Sequence, residues 1–255
     1  MSIGIIGLGR LGTALAGGLA RVGVPDVVVF NRTTAKAEAL ASECPGVAVA
    51  ASAAEVFERC DPVFLWTAPP DSAALASEHG EVIARHRPMI VTCASGWDPG
   101  GHTPRWATTL PNVNLSTGQG ATLVTWGPGL TEADKDAVRA PLAACGVVHE
   151  VDAERLSLYA ALTSSGPALY ARALEIWADA LAGRHGLDPE VCRGLVRQTA
   201  AGTLTLQEQD AIGAGAVVDR VAHPGGTTEK GLDVLNAEFP RVAEQMLRAM
   251  GKWGA

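Results

Sequence analysis

The sequence predicts an α/β domain with a parallel sheet over residues 1–152, followed by an all-helical domain over residues 153–255. Three observations carry this. Up to about Val151, short apolar runs alternate with Ala-rich stretches, the pattern of strand–helix–strand units. From Glu154 onward, Ala/Leu stretches at helical spacing continue without a convincing strand. The 255 residues, 47% of them hydrophobic, suffice for one large core or two modest ones.

The first strand and its turn are the most informative stretch. SIGII at 2–6 runs straight into Gly7-x-Gly9-x-x-Gly12 and then into the helix-like ALAGGLARV. Gly7 suits a strained turn, Gly9 presents no side chain to a pyrophosphate, and Gly12 lets a helix pack close on its strand. The helix start, with Arg10 and Leu11, offers N–H groups and a partial positive charge to an anion. A second strand, Asp26 to Phe30, follows at the distance a βαβ unit requires, so the domain reads as a Rossmann dinucleotide-binding domain.

After that strand the chain reads Asn31-Arg32-Thr33-Thr34, with Lys36 close behind. An NAD site usually places an Asp or Glu here for the ribose hydroxyls, and its charge would repel a 2′-phosphate. Asn31 is uncharged, the Arg32 guanidinium presents a planar fork to phosphate oxygens, and the Thr33 and Thr34 hydroxyls add donors. NADPH is the preferred cofactor; the alternative is that Arg32 and Lys36 are solvated at a helix start.

The alternation continues with a helix from Thr34, VAVA at 47–50, a helix from Ser52 and PVFLW at 62–66. A helix from Asp71 to His86 and the strand MIVTC at 89–93 come next. A Gly/Thr-rich segment, Leu115 to Gly127, precedes a helix from Thr131 to Ala144 and the strand VVHEV at 147–151. In the helical half, breaks are expected at Gly166-Pro167, Gly186 to Pro189, Pro224-Gly225-Gly226 and Pro240. Ala-rich helices with few aromatics make a thin core, so burial of their apolar surface against a second subunit is expected.

Composition excludes other classes. A net charge of -7 argues against a nucleic-acid or acidic-membrane surface. The five cysteines are odd in number, spread out and without a C-x-x-C pair, and the six histidines show no H-x-x-x-H spacing. Neither a disulfide framework nor a metal site is expected, and the cysteines read as small buried hydrophobes. No apolar run is long enough to span a bilayer, and the first strand leaves no room for a signal peptide, so a cytoplasmic location is expected.

Two segments of the helical half place small polar residues beside a Gly-Pro or Pro-Gly break: Thr163-Ser164-Ser165-Gly166-Pro167-Ala168 and His223-Pro224-Gly225-Gly226-Thr227-Thr228. In the second, consecutive glycines open backbone N–H groups just ahead of a helix starting near Glu229, a suitable cradle for a carboxylate. A plain capped turn between helices accounts for the same residues.

GLGRLG at the start, LPN at 110–112 leading to GQGAT, then TSSGPALY and PGGTTEKGL together resemble the pyrroline-5-carboxylate reductase family in order and spacing. The resemblance covers nearly the whole chain. It implies an NAD(P)H-dependent reductase of a cyclic imine carboxylate that makes proline, with a Rossmann domain, a helical dimerisation domain, and an active site at the interface of a homodimer. By the same resemblance, Gly225, Gly226 and Thr227 present backbone N–H groups to the substrate carboxylate, and Ser165 joins them as a substrate contact. Thr228 hydrogen-bonds the ring nitrogen, and Asn112 lies near the nicotinamide.

Several positions depart from the family pattern. Its alanine-valine-lysine-proline run reads Trp66-Thr67-Ala68-Pro69, which removes the lysine and leaves Thr67 and Ala68 as cofactor contacts. PNTP reads Pro111-Asn112-Val113-Asn114, and the serine before PGGTT is His223. The segment between Ser95-Gly96 and Leu110 is shortened. His223 is a candidate proton donor or carboxylate partner, or else an inert turn residue; Tyr170 is a second donor candidate or a packing residue.

The leading expectation is NADPH-dependent reduction of a cyclic imine, with pyrroline-5-carboxylate the single best substrate. The alternatives are a reductase of a different cyclic imine in a dedicated biosynthetic pathway, and a dinucleotide-binding regulatory paralogue.

Overall fold

The computed structural model describes residues 2–94 and 96–252, so Ser95, at the start of the shortened segment, lies outside the described residues. The chain divides into two compact units, Met1–Pro167 and Ala168–Ala255. Residue 153, the expected start of the second domain, is the first residue of the helix Ala153–Thr163, which lies within the first compact unit.

The first unit is built on strands β1 (Ser2–Ile6), β2 (Val27–Phe30), β3 (Val47–Val49), β4 (Cys60–Leu65), β5 (Ile90–Thr92), β6 (Trp106–Leu110), β7 (Gly120–Trp126) and β8 (Gly146–Glu150). They form one sheet in the order β3-β2-β1-β4-β5-β6-β7-β8. Its helices are α1 (Arg10–Arg21), α2 (Thr34–Glu43), α3 (Ala53–Arg59), α4 (Pro69–Glu78), α5 (Gly80–His86), α6 (Glu132–Ala143) and α7 (Ala153–Thr163).

Successive strand residues point to opposite faces, and the core is accordingly double. Ile5, Val27, Val29, Phe64 and Val91 meet Leu15 and Leu19 of α1, Leu40 of α2 and Leu142 of α6. Ile6, Val28, Val63, Leu65 and Ile90 meet Val56 and Phe57 of α3, Ala76 of α4 and Ile83 of α5. Strands buried on both faces are why these segments read as continuous apolar runs.

The structure departs from the sequence expectation in three places. The sheet is mixed, because β6, a strand the sequence reading passed over, pairs antiparallel with β7. A 3₁₀ turn at Val113–Thr117, closed by Gly118 at φ +78°, joins the two. A connection this short reverses the chain, whereas parallel neighbours need a long crossover. The helix expected from Asp71 to His86 is two helices divided at His79, the second ended by Arg87 in the left-handed region (φ +51°). Pro240 does not break its helix, since Leu235, Phe239, Val242 and Met246 carry the apolar spacing through it.

The second unit consists of α8 (Gly166–His185), which begins at the boundary, α9 (Pro189–Gln209), α10 (Ala214–Val221) and α11 (Thr227–Ala249). Asp188 caps α9, its Oδ1 accepting from the Glu190 N–H at 2.8 Å, with Pro189 in the first helical position. Its own core is small: Ala178, Ala182 and Cys192, with Val196 packed against them. Large side chains stay outside, among them Trp177 at 71% exposure, Leu195 and Leu204. Leu174, Trp177, Leu181, Val191 and Leu195 line an apolar groove of about 1110 Å³. Among the described residues, no helix is long and apolar enough to cross a membrane.

Candidate functional site

The glycine turn has the geometry its spacing implies. Gly7 lies at φ +101°, and a Cβ there would come within 2.7 Å of the Trp66 carbonyl oxygen. A Cβ on Gly12 would lie 2.0 Å from the Gly7 carbonyl oxygen, so α1 starts against the end of β1 at a distance only glycine permits. Gly9 is different: nothing lies within 4 Å of where its Cβ would be. The fold therefore requires Gly7 and Gly12, whereas Gly9 faces open space of the kind a pyrophosphate needs. The amides of Arg10, Leu11 and Gly12 have no acceptor among the described residues, which suits an anion at this helix start.

Beside the turn a cleft of about 520 Å³ opens at the ends of β1, β2 and β4, where the strand order reverses around β1. Gly7, Asn31, Arg32, Thr33 and Thr67 line it, with Lys36 on the same rim and Asp71 and Glu78 contributed by α4. Arg32 and Lys36 are exposed. Ala68 is the exposed residue that begins α4. Thr67 Oγ1 lies 2.7 Å from Ser72 Oγ, so the hydroxyl at this lip is already held by a buried neighbour.

Asn31 has a role the sequence did not reveal. Its Oδ1 accepts the Leu8 N–H at 2.9 Å, and its Nδ2 donates to the Thr33 carbonyl at 3.1 Å. The residue expected beside the 2′-phosphate thus braces the glycine turn.

Asn112 is buried and holds three segments. Its Oδ1 accepts from the Asn114 and Ala121 amides, both at 3.2 Å, and its Nδ2 donates to the Thr163 carbonyl at 3.2 Å. Both oxygen lone pairs and one amide proton are thereby committed inside the first unit, and Asn112 does not line the cleft. Ser165 also belongs to the first unit, half-buried at the end of α7, its N–H donating to the Ala160 carbonyl at 3.2 Å.

The turn at 223–228 belongs to the second unit. Gly225 lies at φ +76° and Gly226 is the residue before α11, which starts at Thr227 rather than at Glu229. The Gly225 N–H donates to Glu229 Oε2 at 2.6 Å, and the Gly226 N–H to the His223 carbonyl at 2.8 Å. The Thr227 and Thr228 amides have no acceptor among the described residues. His223, Thr227 and Thr228 are exposed. Glu229 escaped the sequence reading, although an acidic residue three positions after a helix-capping residue is the signal that finds such contacts.

Elsewhere, burial pushes the Cys93 thiol up to about 12 and the Cys60 thiol up to about 11. Cys60, Cys145 and Cys192 are buried as expected, while Cys44 and Cys93 are only half-buried. Among the described residues, no group of three or more His, Cys, Asp or Glu is placed to hold a metal ion.

The reversal of strand order, the glycine turn and the cleft beside them define a dinucleotide-binding oxidoreductase of the α/β class. Residues 153–252 match the family described as pyrroline-5-carboxylate reductase dimerisation, and residues 2–96 match the one described as NADP oxidoreductase coenzyme F420-dependent. A pyrroline-5-carboxylate reductase of Aquifex aeolicus is 26% identical over 243 residues, covering 92% of this chain and 89% of that relative. The structure of a pyrroline-5-carboxylate reductase from Coxiella burnetii superposes with a TM-score of 0.85 at 24% identity, covering 98% of this chain and 94% of that one. A Plasmodium falciparum pyrroline carboxylate reductase with NADP bound gives a TM-score of 0.80 at 20% identity, covering 98% and 95%. Along nearly its whole length the chain is thus similar to pyrroline-5-carboxylate reductases.

Proposed function

We propose that this chain reduces a cyclic imine with NADPH, and that 1-pyrroline-5-carboxylate, converted to proline, is its substrate. The observation that carries this reading is that one chain holds both the open Gly9 turn and the PGGTT start of α11, the first in a half similar to NADP oxidoreductases and the second in a half similar to the pyrroline-5-carboxylate reductase dimerisation region. NADP in the Plasmodium falciparum relative supports the cofactor. When bound, NADPH supplies the hydride that reduces C=N.

The chain's own residues do the rest by positioning. Gly9 admits the pyrophosphate, and the amides of Arg10, Leu11 and Gly12 face it. Arg32, Lys36 and the Thr33 hydroxyl meet the 2′-phosphate, which the uncharged Asn31 does not repel. Thr67 and Ala68 form the lip of the cleft. In the second unit the Thr227 amide, which has no acceptor among the described residues, serves the substrate carboxylate, and the Thr228 hydroxyl hydrogen-bonds the ring nitrogen. His223, exposed beside them, is available as a proton donor. The exposed apolar groove of α8 and α9 supports a homodimer, and the family's dimerisation region supports an active site completed at the subunit interface.

The test is absorbance at the nicotinamide band when purified protein is mixed with NADPH and DL-pyrroline-5-carboxylate, with 1-pyrroline and a six-membered imine carboxylate alongside. Rapid oxidation with the five-membered carboxylate is expected. Activity confined to another imine would favour the second reading, a reductase of a different cyclic imine, which the internal bond from Gly225 to Glu229 supports. Tight NADPH binding without turnover of any imine would overturn both in favour of a regulatory paralogue.

A further inference from the structure

Four charged side chains line the cleft beside the glycine turn, and they are segregated by sign. Arg32 and Lys36 stand on the side that follows β2, whereas Asp71 and Glu78 belong to α4. Among the described residues no ion pair joins the two sides; about 520 Å³ of open cleft lies between them. The α4 side has an order of its own. Asp71, Ala74, Leu75 and Glu78 line the cleft at helical spacing, one stripe that is apolar in the middle and acidic at ends about 10 Å apart. Asp71, in the first turn, suits the free amides of the helix start. Glu78 is the last residue of α4, where the helix's free carbonyls disfavour a carboxylate. It is exposed, and among the described residues no hydrogen bond or ion pair engages its side chain.

We propose that Glu78 is a specificity-determining residue that recognises the adenine 6-amino group of NADPH. The inference rests on the cofactor reading above. A carboxylate in a cleft for a polyanion opposes binding unless it meets an uncharged, hydrogen-donating part of that ligand. In NADPH one ribose carries both the 2′-phosphate and the adenine. With the phosphate on Arg32 and Lys36, the base reaches across the cleft onto Ala74 and Leu75, with Ala53 of α3 in the same lining. The 6-amino group is the donor that the base then offers to the acidic end of the stripe, and a bond from it to a carboxylate is stronger than one to a neutral acceptor.

An exposed glutamate at a helix end is ordinarily just solvated. The two roles separate with a cofactor altered only in its base: reduced nicotinamide hypoxanthine dinucleotide phosphate, which carries a 6-oxo group in place of the amine. Fluorescence titration of the apoprotein should show NADPH binding about tenfold more tightly than this analogue, because a bond to a carboxylate is lost and a carbonyl oxygen is set beside it. In Glu78→Ala that preference should fall to about twofold or less. Removing a merely solvated charge would shift both affinities alike and leave their ratio unchanged. Equal binding of the two cofactors by the parent, or an undiminished preference in E78A, would overturn the role of Glu78 and leave the NADPH reading standing. Failure of the parent to bind NADPH would overturn the cofactor reading, and this inference with it.

Discussion

Gly9 and Gly12 stand three residues apart in one turn, yet alanine at each should fail in a different way. At Gly12 the new Cβ would lie 2.0 Å from the Gly7 carbonyl oxygen, far inside any real contact, and both partners are backbone. Relief requires α1 to slide away from β1, uncovering Leu15 and Leu19, which are fully buried in the larger core. Overpacking of this kind costs about 3 kcal/mol or more, equivalent to a fall in melting temperature of roughly 6–12 °C for a domain of this size. At Gly9 the same methyl group meets nothing within 4 Å, and the backbone (φ -80°, ψ -164°) is open to any residue. Only the modest penalty for alanine at a helix cap remains, about 1 kcal/mol. NADPH affinity should nevertheless fall by about tenfold or more, 1.4 kcal/mol, because the methyl group occupies the pyrophosphate's space. Thermal melts of the apoproteins paired with fluorescence titration of NADPH check both halves. A Gly9→Ala protein that binds NADPH like the parent would refute the assignment of that space to the cofactor.

Three further outcomes are expected. Asn31→Asp combined with Arg32→Ala should move the ratio of NADPH to NADH affinity toward NADH by about tenfold or more, as measured by titration of both cofactors. Asp134 is held at a pKa of about 2, first by its hydrogen bond from the Arg105 guanidinium at 2.6 Å, so its contribution to stability is complete above the unfolded carboxylate range and is lost as pH falls through about 2. Asp134→Asn should therefore lower stability by about 1–2 kcal/mol at neutral pH, and denaturant melts should show the gap closing between about pH 4 and 2; a constant gap would disprove the ion-pair account. Trp177→Arg places a charge in the middle of the exposed groove of α8 and α9 and should convert a dimer to monomer in light scattering, whereas an unchanged mass would mean that this face is not the contact.

The sequence carried the nucleotide half of the fold because glycine spacing and buried parallel strands leave local marks. Gly7, Gly9 and Gly12 are constrained within one turn, and VVVF and FL are apolar on both faces. β6 left a fainter mark: in Trp106–Leu110 only alternate residues are buried, and the strand's direction depends on a turn beyond it. The division at His79 was hidden because Leu75, Ala76, Val82 and Ile83 keep helical spacing across it. For the site, residue types were readable and their bonds were not. Asn112 meets Thr163 across 51 positions and Asn31 meets Leu8 across 23, distances at which no local pattern reports a partner.

The double duty of Asn31 limits how this protein can change its cofactor. The side chain we propose to face the 2′-position also holds the Leu8 amide and, through Nδ2, the Thr33 carbonyl. An aspartate there keeps an acceptor for Leu8 but turns a second oxygen toward the Thr33 carbonyl, so the new ribose contact comes with a loosened phosphate loop. Selectivity and grip are thus coupled at one position, and a lineage moving toward NADH would first need a substitution near Thr33 that tolerates the lost donor. The order of such steps, more than their number, decides which paths stay functional.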